Sequence, residues 1–171
     1  MSISVMALIS LVISCNNSTP PDAITPKTEV IVKTKTPLTE KQIGESNYFI
    51  SIPTGYSITA SDGPDFSVYY FSPTDTTLRN KLNGGLYFGN FPHEFRPAND
   101  SCKREYRKGK ILGEIRDWTV YNCDGNYSIQ AITDSKSGQD WNQKIHVFGH
   151  GKSYRDLDVI LEIYETLRKN K

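Results

Sequence analysis

The sequence predicts an α+β domain, a mainly antiparallel sheet with a C-terminal helix packed on it. Three observations carry that class. Aromatic residues make up 11% of the chain, Tyr being the most frequent, and they fall in short apolar runs that suit a pleated sheet better than a helical bundle. Turn signals recur between those runs, the firmest being Asp124-Gly125, a pair that tolerates positive φ in a tight hairpin. Near the C-terminus Leu157, Ile160, Leu161, Tyr164 and Leu167 fall on one helical stripe.

Taken in order, residues 1–14 read as a secretory signal. An apolar run over residues 5–13 stops at Ser14-Cys15. Fewer than about 15 apolar residues cannot cross a hydrocarbon core that needs roughly 20 in a helix, so the run is a signal rather than a span. Met1 to Ser4 carries no Lys or Arg, so either the true start lies upstream or the signal is weak. Val12-Ile13-Ser14-Cys15 resembles the lipobox of bacterial lipoproteins, with branched residues before a small one and then a thiol to take the lipid. The resemblance implies cleavage before Cys15, a diacylglyceryl group and acyl chains such as palmitate on Cys15, and attachment to a membrane of the cell envelope. Asn16 rather than Asp after the cysteine then implies the outer membrane, facing the periplasm, if the host is Gram-negative.

Residues 15–45 read as the lipidated N-terminus and a flexible tether. Pro20, Pro21, Pro26 and Pro37 remove backbone donors and favour extended chain, and Thr, Lys and Glu fill the rest. The β-branched stretch 28–34 could pair as an edge strand before Pro37 ends it. One domain, residues 46–171, follows, long enough for a single core. Its expected strands are 48–52, 56–60, 66–71, 86–88, 110–116, 118–123, 127–133 and 144–148. Short helices are expected at 76–82 and 99–108, with Asn83-Gly84-Gly85 and Gly149-His150-Gly151 as turns. The closing helix spans 153–169, capped by Ser153 with Asp156 three residues on.

The opening Phe49-Ile50-Ser51-Ile52-Pro53-Thr54-Gly55-Tyr56, the Val68-Tyr69-Tyr70-Phe71 strand and the C-terminal helix together resemble the PsbP-like α/β/α sandwich superfamily. That resemblance implies a binding or assembly factor rather than an enzyme, and it carries over no functional residue set.

The chain has three cysteines; with Cys15 lipidated, Cys102 and Cys123 remain as a pair in an oxidising compartment, where a disulfide is expected. Two buried thiols are one alternative. A metal or redox pair is another, against which neither cysteine has a Cys-x-x-Cys neighbour or an adjacent His. Formal net charge is +1, so no global field recruits nucleic acid. Gly149-His150-Gly151-Lys152-Ser153 ends like a phosphate loop, but position 146 is His where that pattern needs Gly, so no nucleotide is expected. Free amides there could instead hold an anion on a partner. His146 and His150 share a strand face with Phe148 between them, and a metal pair on them would lack a third ligand. No Gly-x-Ser-x-Gly elbow is present and no catalytic residue, metal site or cofactor is assigned.

The basic run 103–110 offers Arg104, Tyr106, Arg107 and Lys108 as a candidate partner-binding surface, pinned if Cys102 is bridged. The aromatic stretch 91–95 is the next candidate. The expected function is therefore a membrane-anchored envelope lipoprotein acting as a non-enzymatic binding, assembly or inhibitor/immunity module, with an unidentified protein partner. The alternative is an envelope hydrolase using a His146/His150 metal site.

Overall fold

The computed structural model describes residues 36–78, 81–98, 101–136 and 142–170. Cys15 and the 28–34 expectation lie outside the described residues. In chain order the strands are β1 (Leu38–Gln42), β2 (Tyr48–Pro53), β3 (Tyr56–Asp62), β4 (Phe66–Pro73), β5 (Asn83–Gly89), β6 (Lys103–Ile111), β7 (Glu114–Cys123), β8 (Asn126–Asp134), β9 (Lys144–Gly151) and β10 (Arg168–Lys169), with helix α1 (Tyr154–Glu165) before the last. The architecture is mostly antiparallel sheet with one C-terminal helix, closer to all-β than the α+β expectation.

Seven strands form the main sheet in the order β3-β4-β5-β9-β8-β7-β6. It consists of two three-stranded meanders, β3-β4-β5 and β6-β7-β8, joined by β9, which pairs with β5 from Asn83↔His150 to Gly89↔Lys144 and with β8 from Tyr127↔Gly151 to Asp134↔Lys144. A second sheet, β1-β2-β10, clasps both ends of the described chain onto β2.

Helix α1 lies on one face of the main sheet. Ser153 caps it, accepting from the Asp156 amide, and Leu157, Ile160, Ile163 and Tyr164 are buried. They meet Trp118, Val120, Ile129, Ile145, Val147, Leu86 and Phe71, with Tyr48, Ile50 and Ile52 of β2 closing the same core. Tyr164 is fully buried and its hydroxyl accepts from the Gly85 amide at 3.1 Å while lying 2.6 Å and 2.7 Å from the Gly85 and Phe148 carbonyls. Burial pushes its ionisation far up, so the proton stays on the oxygen and the hydroxyl ties α1 to two strands.

Several sequence expectations change. The 99–108 helix is instead strand β6, because Arg104, Tyr106 and Lys108 alternate with Lys103, Glu105 and Arg107 across a strand paired with β7 from Lys103↔Asn122 onward. The 110–116 strand is broken by a hairpin at Leu112-Gly113, with φ of 52° and 79°. Of the helix expected at 76–82, the described residues form a 3-10 turn at Thr76–Leu78, with Lys81 and Leu82 outside any helix. Of the stretch read as tether, Leu38–Gln42 form β1 against β2, so the ordered domain begins before residue 46. Helix α1 ends at Glu165 rather than 169: the Thr166 hydroxyl donates to the Ile163 carbonyl and accepts from the Ser51 amide at 2.7 Å, after which Arg168–Lys169 pair with β2.

The glycine-rich "turns" are strand interiors. A Cβ on Gly149 would meet the Ile160 side chain at 2.9 Å, and one on Gly85 would meet the Phe148 ring at 2.6 Å. These glycines admit a helix on one face and an aromatic ring on the other.

Candidate functional site

The face of the sheet opposite α1 is built differently. Register places Thr59, Tyr70, Gly85, Phe148, Gln130, Thr119 and Tyr106 in one row across all seven strands. A neighbouring row runs Asn83, His150, Ser128, Tyr121 and Arg104. Across this face runs a strap, the irregular chain 90–98 between β5 and β6. The Gln130 side-chain amide pins it as a strand would, its oxygen accepting from the Phe95 amide at 2.8 Å and its nitrogen donating to the Phe95 carbonyl at 2.7 Å. Phe95 then sits 5.0 Å from the His146 ring and 5.1 Å from Phe148, which meets Tyr70 edge-on at 5.9 Å.

His146 Nε2 lies 3.0 Å from the Gln130 oxygen. Because that oxygen is fixed by the Phe95 amide, Nε2 carries the ring proton and donates. Burial lowers the His146 pKa to about 4, so the ring is neutral and structural at neutral pH. His150, four residues on, shares the face but is about 13 Å away along the strand, too far for one ion. The His146/His150 metal pair is therefore not assembled, and no cluster of three His, Cys, Asp or Glu side chains able to hold a metal occurs among the described residues.

The basic run does not make one patch. Arg104 and Tyr106 face the strap side, where the Arg104 guanidinium lies 5.0 Å from the Tyr106 ring and 5.9 Å from Tyr121. Lys108, of the same parity, is ion-paired to Asp117. Arg107 points to the helix side, pairing with Asp158 at 2.8 Å and lying over Tyr154 at 5.0 Å. It belongs to the helix side, so of the four residues Arg104, Tyr106 and Lys108 share the strap side. Cys102 and Cys123 lie with their Sγ atoms 2.10 Å apart, joined as a disulfide that ties the start of β6 to the end of β7.

In the loop after β9 the Lys152 amide is already engaged. The Asp156 carboxylate accepts from the Lys152 amide at 2.8 Å and from the Ser153 hydroxyl at 2.9 Å. Exposed aromatics concentrate on the strap face: Tyr106 is 63% exposed, Tyr70 and Phe95 45% each, and Phe91 on the strap 73%. Sequence reasoning missed Gln130, Phe148 and Tyr70, since a polar residue alternating with apolar ones in β8 reads as a solvent position until the strap that it holds is seen. No protein family, curated protein or solved structure matches the chain.

Proposed function

We propose that this protein is a lipid-anchored envelope protein, held at the membrane through Cys15, whose domain is a non-enzymatic binding module of the assembly, inhibitor or immunity kind. The lipobox resemblance at Val12-Ile13-Ser14-Cys15 supports the anchor, and no helix among the described residues is long and apolar enough to cross a membrane by itself. The PsbP-like resemblance supports binding over catalysis. The single observation that carries the reading is the strap face, where rigid Tyr and Phe side chains stay exposed on a sheet fixed by a disulfide and by Gln130. Pre-ordered aromatic and Arg side chains lose little entropy on docking and are the types enriched at interface cores.

Two experiments test it. Cys15→Ala should shift the protein out of the detergent phase on phase partitioning; unchanged partitioning refutes the anchor. A photo-reactive amino acid at position 106 or 70 in the living cell should give a discrete cross-linked species that the same group at Glu162, on α1, does not give. Equal patterns from both faces refute the strap face as the docking surface.

A further inference from the structure

One end of the strap face holds a groove with an unusual charge balance. Two adjoining cavities of about 200 Å³ and 290 Å³ share Asn126, Tyr127 and His150 as walls. The first is lined also by Lys81, Asn83 and Lys152, the second by Phe95, Arg96, Pro97 and Ser128. Among the described residues no carboxylate lines either one. Glu94 and Asp124 are close in sequence but outside both linings, and Asp156 is turned to the Lys152 amide and the Ser153 hydroxyl.

Seven of the described Lys and Arg side chains are neutralised elsewhere, while Lys41, Lys103, Arg155 and Lys169, which line neither cavity, have no carboxylate partner among the described residues. Arg107, Lys108, Lys110, Arg116, Lys136, Lys144 and Arg168 each have a carboxylate partner. Among the described residues Lys81, Arg96 and Lys152 around the groove have none, and Arg104, at the far end of the same row, is held only by Tyr106 and Tyr121. The row Asn83, His150, Ser128, Tyr121 and Arg104 crosses five strands. At an inter-strand spacing near 4.8 Å it spans about 19 Å, the length of about six extended residues.

We infer that this groove docks an extended acidic segment of a protein partner, an inference that rests on the strap face being the binding surface. Lys81 and Lys152 receive carboxylates at one end and Arg104 at the other, with Arg96 overhanging from the strap. Asn83 and Ser128 offer side-chain hydrogen bonds to the segment's backbone, and the Asn126 side-chain oxygen holds the Lys152 ammonium in place. The Phe95 ring and Pro97 provide apolar contact between the charges. The arrangement selects anionic chains by leaving its cations unpaired, and it steers them by a local field that the net charge of +1 conceals.

The test titrates the full chain in detergent with a fluorescent peptide of about eight residues alternating Glu and Tyr, read by anisotropy. Binding should weaken as salt rises, and Arg104→Gln with Lys152→Gln should weaken it about tenfold, whereas Lys108→Gln with Lys110→Gln, which removes an equal charge already paired to Asp117 and Glu165, should change it less than about twofold. Lys81→Gln with Arg96→Gln is the second pair, and should give a similar loss if the first pair misfolds. Equal binding by all variants overturns the inference, as does equal binding of a Gln/Tyr peptide. A sulfated oligosaccharide that binds where the peptide does not also overturns it and makes the groove a glycan site. Cross-links from position 106 that persist in the double variants sink the groove and leave the strap face standing; charge-dependent peptide binding without such cross-links does the reverse.

Discussion

The two faces of the main sheet are made from the same strands, yet they solve different problems. On the α1 side Trp118, Val120, Ile129, Ile145 and Val147 meet a helix, and the fit is close enough that Gly149 must lack a side chain. On the other side Gln130, His146 and Thr119 are buried under a strap, while Tyr70, Phe95 and Tyr106 remain in solvent. One face is held by volume and the other by a handful of polar bonds. The difference teaches where stability is stored and where a surface is left free to bind.

The largest break in that contrast should come from Trp118→Ala. Trp118 is fully buried and its ring lies 5.3 Å from Tyr164, so the variant should lose about 4 kcal/mol in chemical unfolding. A loss below about 1 kcal/mol would mean that the helix face is not the core. Next, reducing the Cys102–Cys123 bridge, or Cys123→Ser, removes a loop closure over 21 residues and should cost about 3 kcal/mol in the chain-entropy account. Differential scanning calorimetry with and without reductant reads it.

A third prediction concerns pH. His146 is neutral when folded, with its pKa near 4 against 6.5 for an exposed ring, so between those values the unfolded chain takes up a proton that the native state refuses. Stability should therefore be full above pH 6.5 and fall by up to about 3 kcal/mol on acidification to pH 4. His146→Asn should flatten that part of the profile; an identical slope in the variant would assign the loss to other groups.

Smaller effects sharpen the comparison on the strap side. Gln130→Leu removes both bonds to Phe95 and should cost about 1–3 kcal/mol, with faster hydrogen exchange confined to the strap. Tyr106→Ser, at a 63% exposed site, should change stability by less than about 0.5 kcal/mol while abolishing the proposed docking. If Tyr106→Ser unfolds the domain, the contrast between the faces fails.

Legibility in the sequence follows the same division. Strands β2, β4, β7, β8 and β9 and the stripe of α1 were readable because each buries an apolar pattern against the helix-side core. β1 and β6 were not, since their burial is mostly exposed or intermediate and a polar edge strand carries no period that composition reveals. The Leu112-Gly113 hairpin hid behind a leucine, a residue that rarely accepts positive φ. For the candidate site, Arg104 and Tyr106 were visible as residue types, but reading the run as a helix put Arg107 beside them. In a strand the period of two sends Arg107 to Asp158 on the opposite face. Lys81, Arg96 and Lys152 lie far apart in the chain, and no local pattern could have gathered them into a groove.

The position of β9 also governs how the chain can be made. Each meander, β3-β4-β5 and β6-β7-β8, pairs only with near neighbours in sequence and can close early, but β5 and β8 keep bare edges until residues 144–151 arrive between them. Contacts such as Asn83↔His150 come late because long-range closure is slow. A chain that emerges N-terminus first therefore passes through a period in which two half-sheets present unpaired backbone to any neighbouring copy, and the hazard ends when one late strand inserts between them.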